Sequence, residues 1–330
     1  MKQKVFTLMA MALLVVAQAK AQTAFATLFH EGTLSSFTGV DALSEAMAAA
    51  ADGDVITLSS GTFNGCTITK AITLRGVGME ADEQGRQTII KTNNIGISVT
   101  DGEEKSVSIE GISMPSITLS VNKTLGSIYL NKCVIKNYTP KSSSTVCANY
   151  SVITNCKVQE LKEPYTISRN LQPNVNAYNC YFDKAYANKT TYRFDNCVIG
   201  SGYNAYGYYP ASYYNCILLN VPNFYGTADH CVTTFAIDAS HGSNNYQVED
   251  VTTLFNNYDA AAEWYARDLT LTDEAKAKYL GNDGTEVGVY GGSQPFSAKL
   301  ERPFIKRLNV DSKSRRNGKL GVVIEVDEAY

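Results

Sequence analysis

A short phrase recurs between residues 130 and 233 of this chain: an apolar residue, a spacer, a small polar residue and then cysteine. Successive cysteines of this series, from Cys133 to Cys231, are 23, 24, 17, 19 and 15 residues apart. A variable period near 20 residues is typical of a solenoid whose loops differ in length, whereas helical repeats need about 34 residues or more. The clearest copies are Asn155-Cys156, Asn179-Cys180, Asn196-Cys197, Asn215-Cys216 and His230-Cys231.

The spacing of apolar residues around each cysteine predicts two strands joined by a tight bend. Apolar residues stand three positions before and two positions after the cysteine, and the step of two is strand alternation. The odd step across the asparagine places a bend there, and Asn tolerates the left-handed conformation that such a bend needs. We therefore expect a coil of parallel strands about 4.8 Å apart, with an inward column of cysteines and a ladder of asparagines that bond one another.

The eight cysteines leave two interpretations open. Disulfides are common in exported chains. Free cysteine, however, is among the most buried residue types, and bridging two residues of one column demands specific side-chain geometry. We expect mostly free, buried thiols.

The first 21 residues have the pattern of a secretory signal peptide. Lys2 and Lys4 precede an apolar run that is too short to span a membrane, and Ala19-Lys20-Ala21 supplies the cleavage site. We expect export to the periplasm, the cell surface or the medium, with no membrane insertion. The net charge of −3 argues against a nucleic-acid partner.

A helix-forming run precedes the first strand. Residues 42–51 favour a helix that Asp41 caps and Gly53 ends. Val40, Leu43 and Met47 share one face of this helix, which we expect to cover the first open coil.

Two segments resemble a known family. The run from Ala42 to Phe63, followed by Cys66-Thr-Ile-Thr-Lys-Ala-Ile-Thr-Leu-Arg-Gly76, resembles the N-terminal entry of the right-handed parallel β-helix proteins of the pectate-lyase-like superfamily. The run from Leu280 to Gly292 is similar to the closing segment of secreted β-helix proteins from Bacteroidetes. The resemblance implies an all-β, right-handed parallel β-helix over residues 22–296. The residues at 272–279 themselves predict a short helix before the last coil.

Residues 297–330 form a C-terminal β extension in this interpretation. Two alternating runs, at 303–311 and 319–326, flank a polar loop and predict a hairpin. It either covers the C-terminal edge of the coil, which would otherwise invite self-association, or serves as a sorting or attachment tail. We expect a monomer.

The resemblance implies two enzymatic alternatives, both acting on acidic polysaccharide. A lyase needs a basic residue and carboxylates that hold Ca²⁺, and Arg169 is the candidate base, although the Arg-x-Pro-x-x-Arg phrase of pectate lyases is absent. A hydrolase needs paired carboxylates, and Asp195 and Asp229 occupy equivalent positions two coils apart, about 10 Å. The sequence contains no Cys and His spacing typical of a metal site. We expect no cofactor, and Ca²⁺ only for a lyase.

Tyrosine is unusually frequent, with 21 residues against 12 Phe and one Trp. Partly exposed tyrosine rings give flat surfaces with a hydroxyl group, which suit sugars, although packing of a long loop is the alternative explanation. We expect a secreted, non-catalytic β-helix protein that presents an extended surface to a polysaccharide or cell-surface glycan; a polysaccharide lyase or glycoside hydrolase is the alternative. The candidate contact residues are Tyr165, Tyr203, Tyr206, Tyr208 and Tyr209.

Overall fold

The computed structural model of this protein is a parallel β-solenoid formed by two 12-stranded sheets. It describes residues 24–119, 124–140, 148–162, 174–187, 191–204, 211–221, 224, 226–300, 304–310 and 322–327. The predicted all-β coil of parallel strands is confirmed. The expected signal peptide and Cys147 lie outside the described residues.

The described strands are short, and most belong to the stacked coils. In chain order they are β1 (Phe25–His30), β2 (Thr33–Thr38), β3 (Val55–Leu58), β4 (Gly61–Asn64), β5 (Thr67–Ile68), β6 (Thr73–Arg75), β7 (Thr88–Thr92), β8 (Ile95–Ile97), β9 (Ser106–Glu110), β10 (Ser113–Leu119), β11 (Leu125–Asn131), β12 (Val134–Thr139), β13 (Ala148–Thr154), β14 (Lys157–Leu161), β15 (Asn174–Tyr178), β16 (Tyr181–Ala187), β17 (Thr191–Asp195), β18 (Val198–Asn204), β19 (Ser212–Tyr214), β20 (Ile217–Leu218), β21 (Thr227–Asp229), β22 (Val232–Thr233), β23 (Gly242–Ser243), β24 (Tyr246–Gln247), β25 (Phe304–Val310) and β26 (Val322–Asp327).

From β9 to β24 each coil gives one strand to each sheet, whereas the two preceding coils each give two short strands to the second sheet, β4 with β5 and β7 with β8. The first sheet has the order β2-β1-β3-β6-β9-β11-β13-β15-β17-β19-β21-β23, and the path of the second runs from β24 through β16 and β10 to β4. Pairing is parallel from β3 onward, whereas β1 pairs antiparallel with both β2 and β3. The β1–β2 hairpin, which turns at Glu31 and Gly32 with positive φ angles of 45° and 81°, was not anticipated from the sequence.

The bends between the two sheets lie at the polar residue before each cysteine. The asparagines of the repeat and His230 have φ angles of 50° to 54°, in the left-handed region that Asn adopts more readily than most residues. In the preceding coil it is Lys132, rather than Asn131, that takes this conformation, with φ 50°. A left-handed residue therefore turns the chain into the second sheet in each of these coils.

The cysteines after these bends form a buried inward column. The backbone N–H of Cys133 donates to Sγ of Cys156 over 3.4 Å, and Cys156 donates to Cys180 over the same distance. All seven described cysteines are free, and Cys66 alone among them is not fully buried. Beside this column, the ring of Phe194 stacks on Tyr192 and Tyr213, with centroids 5.8 and 5.2 Å away.

A helix, Ala42–Ala49, covers the N-terminal end of the solenoid. Leu43 and Met47 are buried, as the amphipathic pattern predicts, but Val40 is 51% exposed and does not belong to the buried face. Asp41 stands at the N-cap without capping a backbone N–H, because its carboxylate accepts a 2.7 Å hydrogen bond from Nδ2 of Asn64.

Residues 251–300, here called the C-terminal strap, form no further coil. This corrects the expectation that residues 280–292 close the last coil. The strap contains the expected short helix, Asp273–Lys278, together with 3-10 turns at Val251–Leu254 and Trp264–Ala266. Further 3-10 turns lie at Gly102–Glu104 and Ala239–His241.

The strap covers the outer surface of the second sheet with a second hydrophobic core. In the repeat, the residue directly after the cysteine points outward and is apolar in most coils, and strap residues such as Trp264 and Val289 bury it. The outward residues in this core are Val134, Tyr181, Val198, Ile217 and Val232.

The last part of the strap runs back along the bends toward the N-terminal end. The backbone N–H of Gly288 donates to the carbonyl oxygen of Asn215 at 2.8 Å. Four coils earlier, Nζ of Lys132 donates to the carbonyl oxygen of Lys299. Asparagine side chains thus bond mainly to the strap, and the ladder keeps one long contact, 3.5 Å from Nδ2 of Asn215 to Oδ1 of Asn196.

Strands β25 and β26 form the predicted C-terminal hairpin. Among the described strands they pair only with each other. None of the helices in the described part of the chain has the length and apolar character needed to cross a membrane.

Candidate binding surface

The outer surface of the first sheet is not covered by the strap's hydrophobic core. Side chains alternate along each strand, so residues two and four positions before the repeat's cysteines point outward. Register aligns them in two rows. The row four positions before the cysteines contains Tyr129, Val152, Asn176, Arg193 and Ser212. The row two positions before them contains Asn131, Thr154, Tyr178, Asp195 and Tyr214.

Four tyrosines lie on this surface, which we call the tyrosine face. Tyr150 is 54% exposed and Tyr129 is 44% exposed. They lie on neighbouring strands, because Tyr129 pairs with Val152. Tyr178 and Tyr214 are half-buried and share a row two strands apart, about 10 Å. From β11 to β19 the face extends over about 20 Å.

A charged pair is built into the middle of the tyrosine face. Nε of Arg193 donates to Oδ2 of Asp195 at 2.6 Å, and Nη2 donates to Oδ1 at 3.1 Å. The same guanidinium lies 4.6 Å from the ring centroid of Tyr214. The hydrogen bond to Asp195 raises the pKa of Arg193 further above its usual value. The pair therefore neutralises its own charge and holds a planar, exposed guanidinium beside an aromatic ring.

The candidate carboxylates Asp195 and Asp229 lie in one row with Tyr214 between them. Asp229 accepts hydrogen bonds from Oγ of Ser243 at 3.1 Å and Nδ2 of Asn244 at 3.2 Å. Partial burial opposes its ionisation, but the nearby His230 and hydrogen bonds from Asn244 and Ser243 lower the pKa of Asp229. A general acid needs a raised pKa, so Asp229 suits the role of a base better. The pairing of the two carboxylates in hydrolysis stays a prediction.

A second polar cluster fixes the strap to the second sheet. Nη1 of Arg267 donates to Oδ1 of Asp183 and to the hydroxyl oxygen of Tyr181, both at 2.5 Å. The Tyr181 hydroxyl also donates to Asp183 at 3.1 Å, and burial raises the pKa of Tyr181. Because the guanidinium and carboxylate are each only 15% exposed, this cluster forms an anchor rather than an open site.

Most of the tyrosines proposed from the sequence fall outside the part of the chain that the structure describes. Tyr165, Tyr206, Tyr208, Tyr209 and the candidate base Arg169 lie outside the described residues. Tyr203 belongs to β18, where it pairs with Tyr186 in register.

Other tyrosines of the same coils divide between core and surface. Tyr138 and Tyr192 are core residues, each 1% exposed, whereas Tyr150 is on the outer surface. Sequence reasoning missed Tyr129, Tyr178, Tyr214 and Arg193 as site residues. Their even spacing before each cysteine is the signal that identifies them.

Within the described residues, no group of three or more His, Cys, Asp or Glu side chains is arranged to hold a metal ion. No family model, no curated protein and no solved structure matches this chain.

Proposed function

We propose that this protein is exported and binds an extended glycan along the tyrosine face. The observation that carries the proposal is the pair Tyr129 and Tyr150, two large aromatic side chains left exposed on an open, parallel sheet. Such rings offer an apolar surface to the C–H faces of sugars while their hydroxyl groups bond to water or sugar hydroxyls. They lie on a rigid scaffold, since the inward residues of the same strands belong to the main core.

Polar groups with fixed positions surround the rings. Asn174 and Asn176 lie on β15, beside Tyr150 and Val152 in register, and their amides both donate and accept hydrogen bonds. The Arg193 guanidinium stays half-exposed while its charge is balanced by Asp195. A long, shallow surface with aromatic platforms and neutral polar groups suits a polymer better than a small molecule, which would need an enclosed pocket.

The test is binding of the purified protein to a panel of soluble polysaccharides, measured by affinity electrophoresis and titration calorimetry. We expect Tyr150→Ala and Tyr129→Ala each to weaken binding roughly fivefold, as one aromatic contact contributes about 1 kcal/mol. Tyr265→Ala is the matched control, because Tyr265 is also 44% exposed but lies on the strap. Failure to bind any glycan, or an equal loss in the control, would refute the proposal.

The same panel tests the enzymatic alternative. Release of reducing ends or unsaturated products would indicate a hydrolase or a lyase. In that case Asp229→Asn should abolish hydrolysis, whereas Arg169→Ala should abolish elimination.

A further inference from the structure

Strand β2 is the free edge of the first sheet at its N-terminal end. Hydrogen bonds next to the hairpin define which backbone groups point outward. The N–H of Gly39 donates to the carbonyl oxygen of Ala24 at 2.7 Å, whereas the carbonyl oxygen of Phe25 accepts from Ser59, on the β3 side, at 2.9 Å. Backbone groups alternate in direction along a strand, so the even-numbered residues of β1 bond to β2.

On β2, the residues opposite the odd-numbered residues of β1 therefore direct their backbone N–H and C=O groups away from the sheet. Register identifies these residues as Leu34, Ser36 and Thr38. Among the described strands, β2 pairs only with β1. Three residues of an extended strand thus present backbone donors and acceptors at an open edge.

This edge lacks the features that usually prevent strand addition. Strand β2 reads Thr-Leu-Ser-Ser-Phe-Thr, with no charge, proline or glycine. At the opposite end of the solenoid the terminal strands β23 and β24 have only two residues each, which gives another strand little to pair with. The two ends of the molecule are therefore protected to very different degrees.

Apolar side chains flank the open edge on the outer surface. Phe29 is 50% exposed and Leu34 is 65% exposed, and the two are directly opposite in register. Phe25 is 39% exposed and lies opposite Thr38. A cluster of exposed large apolar residues beside an unpaired strand indicates an interaction surface.

We propose that two copies of this chain associate through antiparallel pairing of their β2 strands, around a two-fold axis at Ser36. Antiparallel pairing of identical strands is self-complementary, because Leu34 of each copy then faces Thr38 of the other. The interface is isologous and closes at a dimer. On the outer surface, Phe29 and Leu34 of one copy continue in a row with Thr38 and Phe25 of the second copy.

A second copy fits this edge better than the N-terminal segment of the same chain. If the chain is cleaved after Ala21, as the signal-peptide pattern predicts, only residues 22 and 23 precede Ala24, too few to add a strand. The small net charge of −3 opposes the approach of a second copy only weakly. This association differs from the monomer expected from the sequence.

Pairing through β2 also fixes how the two tyrosine faces are arranged. The two-fold axis of a continuous antiparallel sheet is perpendicular to the sheet, so both outer surfaces point to the same side. If the proposed function holds, the dimer offers one polymer two coplanar binding faces. This consequence rests on the proposed function, but the pairing itself does not.

The test uses the chain from residue 22 to 330 in sedimentation velocity over a concentration series. We expect a concentration-dependent dimer. Ser36→Pro removes an outward N–H at the centre of the interface without removing a bond to β1, and should weaken dimerisation roughly tenfold or more. Ser36→Thr is the matched control and should keep the dimer, with circular dichroism confirming that both variants fold.

A cross-linking variant keeps the proposal testable if Ser36→Pro fails to fold. Directly opposed residues in an antiparallel hydrogen-bonded pair have Cα atoms about 5.5 Å apart, within reach of a disulfide. S36C should therefore give a covalent dimer under mild oxidation. T227C, at an exposed position near the other end of the sheet, should remain uncross-linked, as should the parent chain.

Each outcome decides the proposal. A parent chain that stays monomeric at every concentration overturns it, as does a dimer that persists in Ser36→Pro and is not cross-linked in S36C. Binding of a short oligosaccharide is measured separately. If the protein does not bind it, the proposed function is contradicted. If it binds but no dimer forms, only the pairing is contradicted.

Discussion

The strongest test of the strap's role is Asn179→Ala. Nδ2 of Asn179 donates to the carbonyl oxygens of Val289 at 3.0 Å and Gly291 at 2.7 Å, and the side chain is 6% exposed. Alanine leaves both buried acceptors without this donor, at about 1 to 1.5 kcal/mol each. It also places a residue less tolerant than Asn at a φ of 51°, which costs about 1 kcal/mol. We expect a loss of about 3 to 4 kcal/mol.

Asn155→Ala separates these two costs. Asn155 has the same φ of 51° and is 7% exposed, but its Oδ1 makes no hydrogen bond within the described residues. We expect this control to lose only the conformational cost, about 1 kcal/mol. The difference between the variants measures the bonds to the strap.

Trp264 makes the assay specific for the strap. It is the only tryptophan of the chain and is buried in the second core, so its fluorescence reports release of the strap. Far-ultraviolet circular dichroism reports the coils. In urea, Asn179→Ala should shift the fluorescence transition to lower concentration than Asn155→Ala. Equal free energies of unfolding for the two variants, or coincident fluorescence transitions, would refute the reasoning.

Two further predictions concern titratable groups. A thiol reagent should leave Cys133 and the rest of the inward column unmodified in the native protein, because these thiols are buried and out of the reagent's reach; Cys66, which is only partly buried, should react first among the described cysteines. Rapid native modification of several column thiols would contradict the structure. Nδ1 of His30 donates to Oδ1 of Asp54 at 2.8 Å, and this hydrogen bond raises the pKa of His30 above 6.5. The stabilising contribution of protonated His30 should therefore be complete below about pH 6.5 and lost as the pH rises through the folded-state pKa; an NMR titration should show the raised midpoint, and Asp54→Asn should return it toward 6.5.

The repeat carries most of the information about the fold. Alternation around Cys156 and its equivalents predicts strands, and the bend at Asn155 follows from the odd step in that pattern. The strap could not be deduced in the same way, because residues 251–300 have no period that matches the coils. One signal was present: Val198 and Ile217, directly after their cysteines, point outward and are still apolar. Apolar residues on both faces of a strand indicate that another layer covers it.

The candidate surface was less accessible to sequence reasoning. A high tyrosine content indicates aromatic surfaces, but the split between the buried Tyr192 and the exposed Tyr150 depends on strand register, which long loops of variable length obscure. Counting backward from each cysteine finds Tyr129, Tyr178 and Tyr214. The hairpin β1–β2 does not follow from the sequence, because Glu31-Gly32 is not one of the common Asn-Gly, Asp-Gly or Gly-Gly turns, and only its Gly32 favours the positive φ that both residues adopt.

The path of the strap limits how the solenoid can change in length. In most repeat proteins each unit contacts only its neighbours, so units can be added or removed singly. Here one segment contacts Asn215, Asn179 and Lys132 in alternate coils and ends with Leu300 against Gly111. Inserting or deleting one coil between these points would displace the later contacts by about 4.8 Å. The length of the strap therefore constrains the number of coils: that number can change only if the strap changes in length by a matching amount.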